Sequence, residues 1–414
     1  MDLRSLGRRA RAAASCLTTA STSAKNQFLE NAAARFLREI EDVLAANALD
    51  MTEGRANGLS TALLDRLELS QERIEGMAES LGAVAALPDP VGSMERVERR
   101  PNGLIVGRQR IPLGVIGIIY ESRPNVTSDA ASLCVKSGNA VLLKGGREAF
   151  NSNVAIAKIL RKALSDAGLP EDAVQFIESV DRSVVTELIQ LTDHVDLVIP
   201  RGGEGLIRYV TENARVPVVQ HYKGVCHVYV HTDADLDKAR SITVNAKTQR
   251  PGVCNAAETL LVDEAVAKQF LPETISALTS RGVEVRGCSR TLDIVDGLRP
   301  VDDTDWDMEY LDLILSIRVV SDFEQALDHI ARYGSNHTEA IVTESHSQAR
   351  QFVDRVQSSC VVVNASTRFN DGYELGLGSE IGISTSKLHA FGPMGLEELT
   401  TRKFVIQGDG QIRT

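Results

Sequence analysis

The sequence is short of several things that would each mark a class of protein. Its 414 residues hold six cysteines, at positions 16, 134, 226, 254, 288 and 360, and no Cys-x-x-Cys pair. That is too sparse for a disulfide framework. A reducing, cytoplasmic setting is therefore expected, and a special cysteine reads better as a nucleophile than as a staple. No apolar run reaches the roughly 18 residues of a membrane span. The stretch MDLRSLGRRARAAASCLTTA has basic residues but lacks the apolar core of a signal peptide. The eight histidines are not spaced with cysteines as a zinc site requires, so no metal is expected. Positive charge is also short: 45 Lys and Arg face 56 Asp and Glu, a formal net charge of −11. That balance argues against a nucleic-acid or anionic-membrane partner. Aromatics are only 4%. The core must come from Val, Ile, Leu and Ala, which suits a buried parallel sheet.

What is present has a clear order. At roughly 150 residues per domain, the length suggests two to three domains. Phe28, Ala32, Phe36 and Ile40 recur at helical spacing, and a second helical stretch runs through Leu63, Leu64, Leu67, Ile74 and Met77. Pro88 and Pro90 stop it. Pro101-Asn102-Gly103 between two extended runs predicts a β-hairpin. From Gly114 strands and helices alternate. Strands are expected at 114–120, 140–144, 174–177 and 195–200, with helices at 153–167 and 183–191. HVYV, ETLLV, LDLILSIRVV, EAIVTE and CVVVN continue the pattern, with helices at 266–280 and 323–331 and a further strand in the tail. Such alternation predicts βαβ units and a doubly wound parallel sheet, an α/β fold.

Cys254 sits in KTQRPGVCNAAETLLV, after a Pro-Gly turn and before a strand. A free cysteine is by default a small buried hydrophobe. Here Gln249, Arg250, Gly252 and Asn255 surround it with polar and turn residues. A loop cysteine in such company can face a cleft, where neighbouring cations favour the thiolate. Two Gly-rich segments, Leu143 to Ala149 and Pro200 to Gly205, follow strands directly. Each reads either as a tight strand-to-helix turn or as a phosphate cradle. Lys144, Arg147 and Arg201 beside them favour anions. Asn125, in YESRPNVTSD, is either an oxyanion donor or a helix-start residue. His221, in VVQHYKG, is either a base or a structural histidine.

These residues, in this order, resemble the aldehyde dehydrogenase superfamily, and within it the branch that reduces a glutamyl phosphate. The resemblance runs over nearly the whole chain. PLGVIGIIYESRPNVTSDAASLCVKSGNAVLLKGG, QRPGVCNAAETLLV, VVVNASTRFNDGYELGLGSEIGIST and KLHAFGPMGLEELTTRKFVIQGDGQIR carry it. It implies an aldehyde-dehydrogenase-like fold with two doubly wound domains and an oligomerisation arm. Residues 1–222 would bind the cofactor, completed by about 385–414. Residues 223–384 would be catalytic, and the hairpin at about 94–113 would pair with 400–414. It further implies Cys254 as the catalytic thiol and Asn125 as the oxyanion amide. Glu309 would hold the nicotinamide ribose, Lys144 the adenosine ribose, and Gly202, Gly203 and Gly205 the pyrophosphate. Lys144 or Arg147 would read the 2′-phosphate of NADPH. A homodimer or homotetramer is implied, and transient association with glutamate 5-kinase stays open.

Ordinary aldehyde-oxidising members carry a water-activating glutamate where this chain has His221-Tyr222-Lys223-Gly224. The resemblance implies NADPH-dependent reduction of L-glutamyl 5-phosphate to L-glutamate 5-semialdehyde through a Cys254 thioester, for which no water-activating base is needed. Such a substrate carries two anionic ends, for which Arg123 and Arg368 are the candidates, with Ser366 and Thr367 as hydroxyl donors. Two other readings compete: a CoA-acylating enzyme, and a catalytically silent protein of the same fold.

Overall fold

The computed structural model describes residues 2–413, apart from the Ala62 side chain. Five helices come first: α1 (Leu3–Leu17), α2 (Thr22–Arg38), α3 (Ile40–Ala56), α4 (Thr61–Leu67) and α5 (Gln71–Ala86). The expected stretch through Ile40 is divided at Glu39, whose ψ of 24° leaves the helical range. The second stretch is divided after Leu67, and the Ser70 side chain accepts from the Arg73 N–H to restart it as α5. On α2, Phe28, Leu29 and Phe36 are fully buried. Each such side chain contributes about 1.5–3 kcal/mol by leaving water.

The hairpin follows as β1 (Met94–Arg99) and β2 (Ile105–Pro112). Next come β3 (Val115–Tyr120), α6 (Asn125–Lys136), β4 (Ala140–Lys144), α7 (Phe150–Asp166), β5 (Val174–Phe176), α8 (Ser183–Ile189), β6 (Leu197–Arg201) and α9 (Glu204–Asn213). These strands form a parallel sheet in the order β5-β4-β3-β6. All six residues of β3 are buried, as strands covered on both faces require. The chain runs outward from β3 to β5 and then returns to the other side of β3. The topological switch, where open α/β sheets bind ligands, therefore lies between β3 and β6.

A second parallel sheet is built from β7 (Cys226–Val230), β8 (Ala257–Asp263), β9 (Glu284–Gly287), β10 (Arg299–Pro300), β11 (Ile314–Val320), β12 (Thr338–Val342) and β13 (Cys360–Val363). Its order is β10-β9-β11-β8-β7-β12-β13. Alternate residues serve opposite faces. Val228, Val230, Leu260 and Val262 join one core, against α10 (Leu236–Thr248) and α11 (Glu264–Thr279). Tyr229, Leu261 and Ile341 join another. A short helix, α12 (Ser289–Leu292), follows β9, while α13 (Phe323–Tyr333) and α14 (His346–Arg355) cover the other face. The periodicity missed α10 and α14. Phe352 is the one buried residue of α14, so it carries almost no apolar stripe.

The tail returns to the first half. Ile381, Ala390, Met394, Leu396 and Leu399 join the core around the first sheet. The short pair β14 (Ile383–Ser384) and β15 (Gly392–Pro393) leads to β16 (Thr400–Gln407). That strand lies antiparallel to β2 from Thr400 opposite Pro112 to Gln407 opposite Ile105, giving a sheet ordered β1-β2-β16. Among the described residues, no helix is long and apolar enough to cross a membrane.

Candidate active site

The carboxyl ends of β3 and β6 open onto a cavity of about 350 Å³ whose opposite wall carries Cys254. Two local conformations shape it. After β3 the chain turns at Ser122, a non-glycine residue with φ of +45°. Glu148 holds this turn by accepting from the Ser122 N–H at 2.6 Å and its hydroxyl at 2.8 Å. Such a backbone costs on the order of 1–3 kcal/mol and persists only where its surroundings fix it. The turn delivers Arg123 to the cavity wall. On the other side, Gly224 packs against the Cys254 loop so closely that a Cβ there would overlap the Cys254 carbonyl oxygen. That oxygen also accepts from the Cys226 thiol at 3.1 Å.

Five arginines reach the cavity: Arg66, Arg123, Arg201, Arg250 and Arg368. Five carboxylates share it: Glu121, Glu204, Glu309, Asp371 and Glu380. Among the described residues, none of the five arginines closes an ion pair with any of these carboxylates. Arg66 reaches the Gly252 carbonyl at 3.4 Å, and Arg368 donates to the Gln249 side chain at 2.8 Å and to the Asn255 side-chain Oδ1. Opposite charges thus line one cavity without pairing.

Burial and these charges set the acidities. Burial pushes the Cys254 thiol up to about 11; Arg201 and Arg123 act against this, while Glu380 and Glu309 add to it. Burial brings Arg123 down to about 10, helped by Arg201 and Arg66. Burial lifts Glu380 to about 7 against the pull of Arg201, and it raises Glu309 against the Gly224 N–H. His221 lines the cavity too, and burial with Arg201 lowers it to about 4, so its imidazole is neutral at neutral pH.

The sequence candidates fall in three groups. Cys254, Arg123, Arg368, Glu309, Gly202 and Gly203 share the cavity. The Gly203 N–H opens α9 and donates to Glu121 at 2.9 Å. A second group lies off this wall. The Lys144 ammonium is turned onto the Gly145 carbonyl at 2.7 Å, and Arg147 is exposed beside Glu53 at 3.4 Å. Ser366 and Thr367 are buried, and the Ser366 hydroxyl accepts from the Arg368 N–H, so they support Arg368 and are not part of the wall. Gly205 is within α9 and outside the lining. Asn125 forms a third case. It is the first residue of α6, its amide donates to Asp129 at 2.9 Å, and it faces a neighbouring cavity. Asn125 therefore does not line the Cys254 cavity where an oxyanion donor was expected. Arg66 and Glu380 were not foreseen: they come from a helix and a Gly-rich loop far from Cys254 in the chain.

Comparison with known proteins agrees with this geometry. Residues 2–286 match the aldehyde dehydrogenase family. The chain is 57% identical over 413 residues to a gamma-glutamyl phosphate reductase of Moorella thermoacetica, covering 100% of this chain and 99% of that one. The crystal structure of gamma-glutamyl phosphate reductase from Thermotoga maritima superposes with a TM-score of 0.98 at 47% identity, covering 100% of both chains. An acetylating aldehyde dehydrogenase from Geobacillus thermoglucosidasius shares the fold, with a TM-score of 0.71 at 18% identity over 100% of this chain and 97% of its own. Family match, full-length likeness and a cysteine facing a cavity at the strand ends agree: the chain belongs to the aldehyde dehydrogenase family.

Proposed function

We propose that the chain reduces L-glutamyl 5-phosphate to L-glutamate 5-semialdehyde and phosphate with NADPH, on the route from glutamate to proline. The full-length likeness to gamma-glutamyl phosphate reductases supports the substrate. The observation that carries the chemistry is Cys254 beside five arginines that form no ion pair with the cavity's carboxylates. That wall suits a polyanion next to a nucleophile.

In this reading the Cys254 sulfur attacks the γ-carbonyl, the bond to the phosphate oxygen breaks, and a thioester remains on the enzyme. Splitting one hard step into two easier ones is the benefit of the covalent route. Arg201 and Arg123 stabilise the thiolate, and Arg250 and Arg368 take the departing phosphate. Backbone N–H groups of the Cys254 loop hold the developing oxyanion. The chain's residues fit a nicotinamide cofactor: Glu309 presents a carboxylate to the cavity for ribose hydroxyls, and Gly203 leaves open space at the start of α9. When bound, the cofactor supplies the hydride. The sulfur of Cys254 then leaves the reduced carbon. Lys144 and Arg147 are the proposed readers of the 2′-phosphate, and an Arg147→Ala variant with unchanged NADPH-over-NADH preference would remove Arg147 from that role.

The reverse reaction tests the proposal. Phosphate-dependent reduction of NADP by glutamate semialdehyde is expected from the wild type and to fall about a thousandfold or more in Cys254→Ala. Turnover retained in that variant would overturn the thioester. Replacing phosphate with CoA separates the acylating alternative. Brisk oxidation with water alone would mean that a cavity carboxylate such as Glu380 activates water, and would overturn the acyl-phosphate reading.

A further inference from the structure

A second cavity, of about 510 Å³, adjoins the first and shares with it Arg66, Arg123, Arg201, Arg250, Asp371 and Glu380. Beyond the shared wall it is lined by α6, which contributes Asn125 and Asp129. Neither Asp129 nor Glu380 has a cation at ion-pair distance among the described residues. Asp129 accepts from the neutral Asn125 amide at 2.9 Å, and Glu380 accepts from the Gly372 N–H at 2.9 Å. Arg201 lines both cavities, with Cys254 and Glu380 in the first and with Asp129 and Glu380 in the second. A Cβ at Gly382 would collide with its guanidinium, so the glycine gives Arg201 its place. Burial lifts Asp129 to about 6, as it lifts Glu380 to about 7, which makes both carboxylates gain from a cation brought to them.

Carboxylates without a cation next to a guanidinium without an anion are the complement of an α-amino acid. In a glutamyl chain only three carbon–carbon bonds, on the order of 4 Å, separate the reacting carbonyl carbon from the α-carbon. With the carbonyl at Cys254, the α-carbon stays within the joined cavities, whose shared wall carries Arg201 and Glu380. We propose that the second cavity is the amino-acid subsite: Asp129 and Glu380 take the α-ammonium of the substrate and Arg201 its α-carboxylate. The assignment rests on the acyl-phosphate reading above. It has a chemical consequence. A neutral α-amine would attack its own activated carbonyl and close a five-membered lactam, or attack the aldehyde and close an imine. Two carboxylates keep the nitrogen protonated and non-nucleophilic. The ammonium also engages Glu380, the carboxylate otherwise best placed to activate water beside the thioester.

The test compares kcat/KM, in the phosphate-dependent reverse direction, for glutamate 5-semialdehyde and for 5-oxopentanoate, which lacks only the amine. The wild type is expected to favour the amino substrate by at least about tenfold, the scale of one charge-assisted hydrogen bond. In Asp129→Asn and Glu380→Gln that ratio is expected to fall by about tenfold. Phosphate-dependent turnover with an unchanged ratio in both variants would overturn the subsite alone. No phosphate-dependent turnover in the wild type would overturn the reaction itself. A second measurement needs no variant: glutamate is expected to inhibit the wild type more tightly than glutarate, and equal inhibition would overturn the subsite.

Discussion

Cys254 is a thiol at rest. Burial holds it near 11, and four charged side chains pull on it in opposite directions. The signs give an ordering. Arg201 favours the thiolate, so Arg201→Ala raises the pH of half-maximal alkylation of Cys254. Glu380 disfavours it, so Glu380→Gln lowers that pH. Each shift is expected to be on the order of one unit, read from iodoacetamide labelling rates across pH. The reverse order would mean that these side chains do not govern the sulfur. That Cys254 faces a cavity was legible in the sequence, because a Pro-Gly turn and polar neighbours mark a presented cysteine. Its electrostatic partners were only half legible. Arg201 stood out beside its glycines, but Glu380 meets Cys254 only through the fold. Asn125 stayed ambiguous: a polar residue after Pro124 reads as an oxyanion donor or a helix start, and the fold makes it the first residue of α6 with its amide on Asp129.

Among the elements, the loop before β7 does the most with the least. Gly224 is needed for absence of bulk rather than for its backbone angle, because any Cβ meets the Cys254 carbonyl. Gly224→Ala is therefore expected to displace the Cys254 loop. A displacement on the order of 1 Å costs about a hundredfold in turnover, while the melting temperature moves little. Wild-type turnover in this variant would show that the loop yields freely. Close approach of this kind leaves no periodic signal, so no reading of the sequence exposes it. Strands β3 and β4 were legible because buried parallel strands are near-continuous apolar runs, and β8 and β12 through their shorter apolar cores Leu260 to Val262 and Ala340 to Val342. Helices α10 and α14 were not, since their caps at Asp235 and Ser345 stand before largely polar stretches.

Across the whole molecule, the antiparallel arm stands apart from the two buried sheets. Its outer strand β16 carries exposed Phe404 and Ile406, 68% and 62% accessible, on one face, and β1 adds exposed Val97. Arg402 pairs with Glu95 at 2.8 Å, and Arg110 with Glu95 at 3.0 Å, locking the arm's own strands together. An apolar face on a strand edge invites a second copy. The double variant Phe404→Glu, Ile406→Glu is expected to sediment at a smaller mass than the wild type, and an unchanged mass would exclude this face as the subunit contact. The alternation of strands and helices revealed the fold class. The return of the tail to the first core came from the family resemblance and not from the alternation, because it depends on which surface the last apolar residues find.

One consequence follows from how the Cys254 cavity is assembled. Arg123 and Gly202 come from the ends of the first sheet, Cys254 and Glu309 from the second, Arg66 from the leading helices and Glu380 from the returning tail. No single part of the chain owns the site. A ligand that fills it touches four separated stretches at once and binds only when all are docked. By mass action it then strengthens the whole fold, by about 2.7 kcal/mol at a hundred times its dissociation constant. A ligand of this cavity is in that sense a structural member, holding together the separate stretches that it touches.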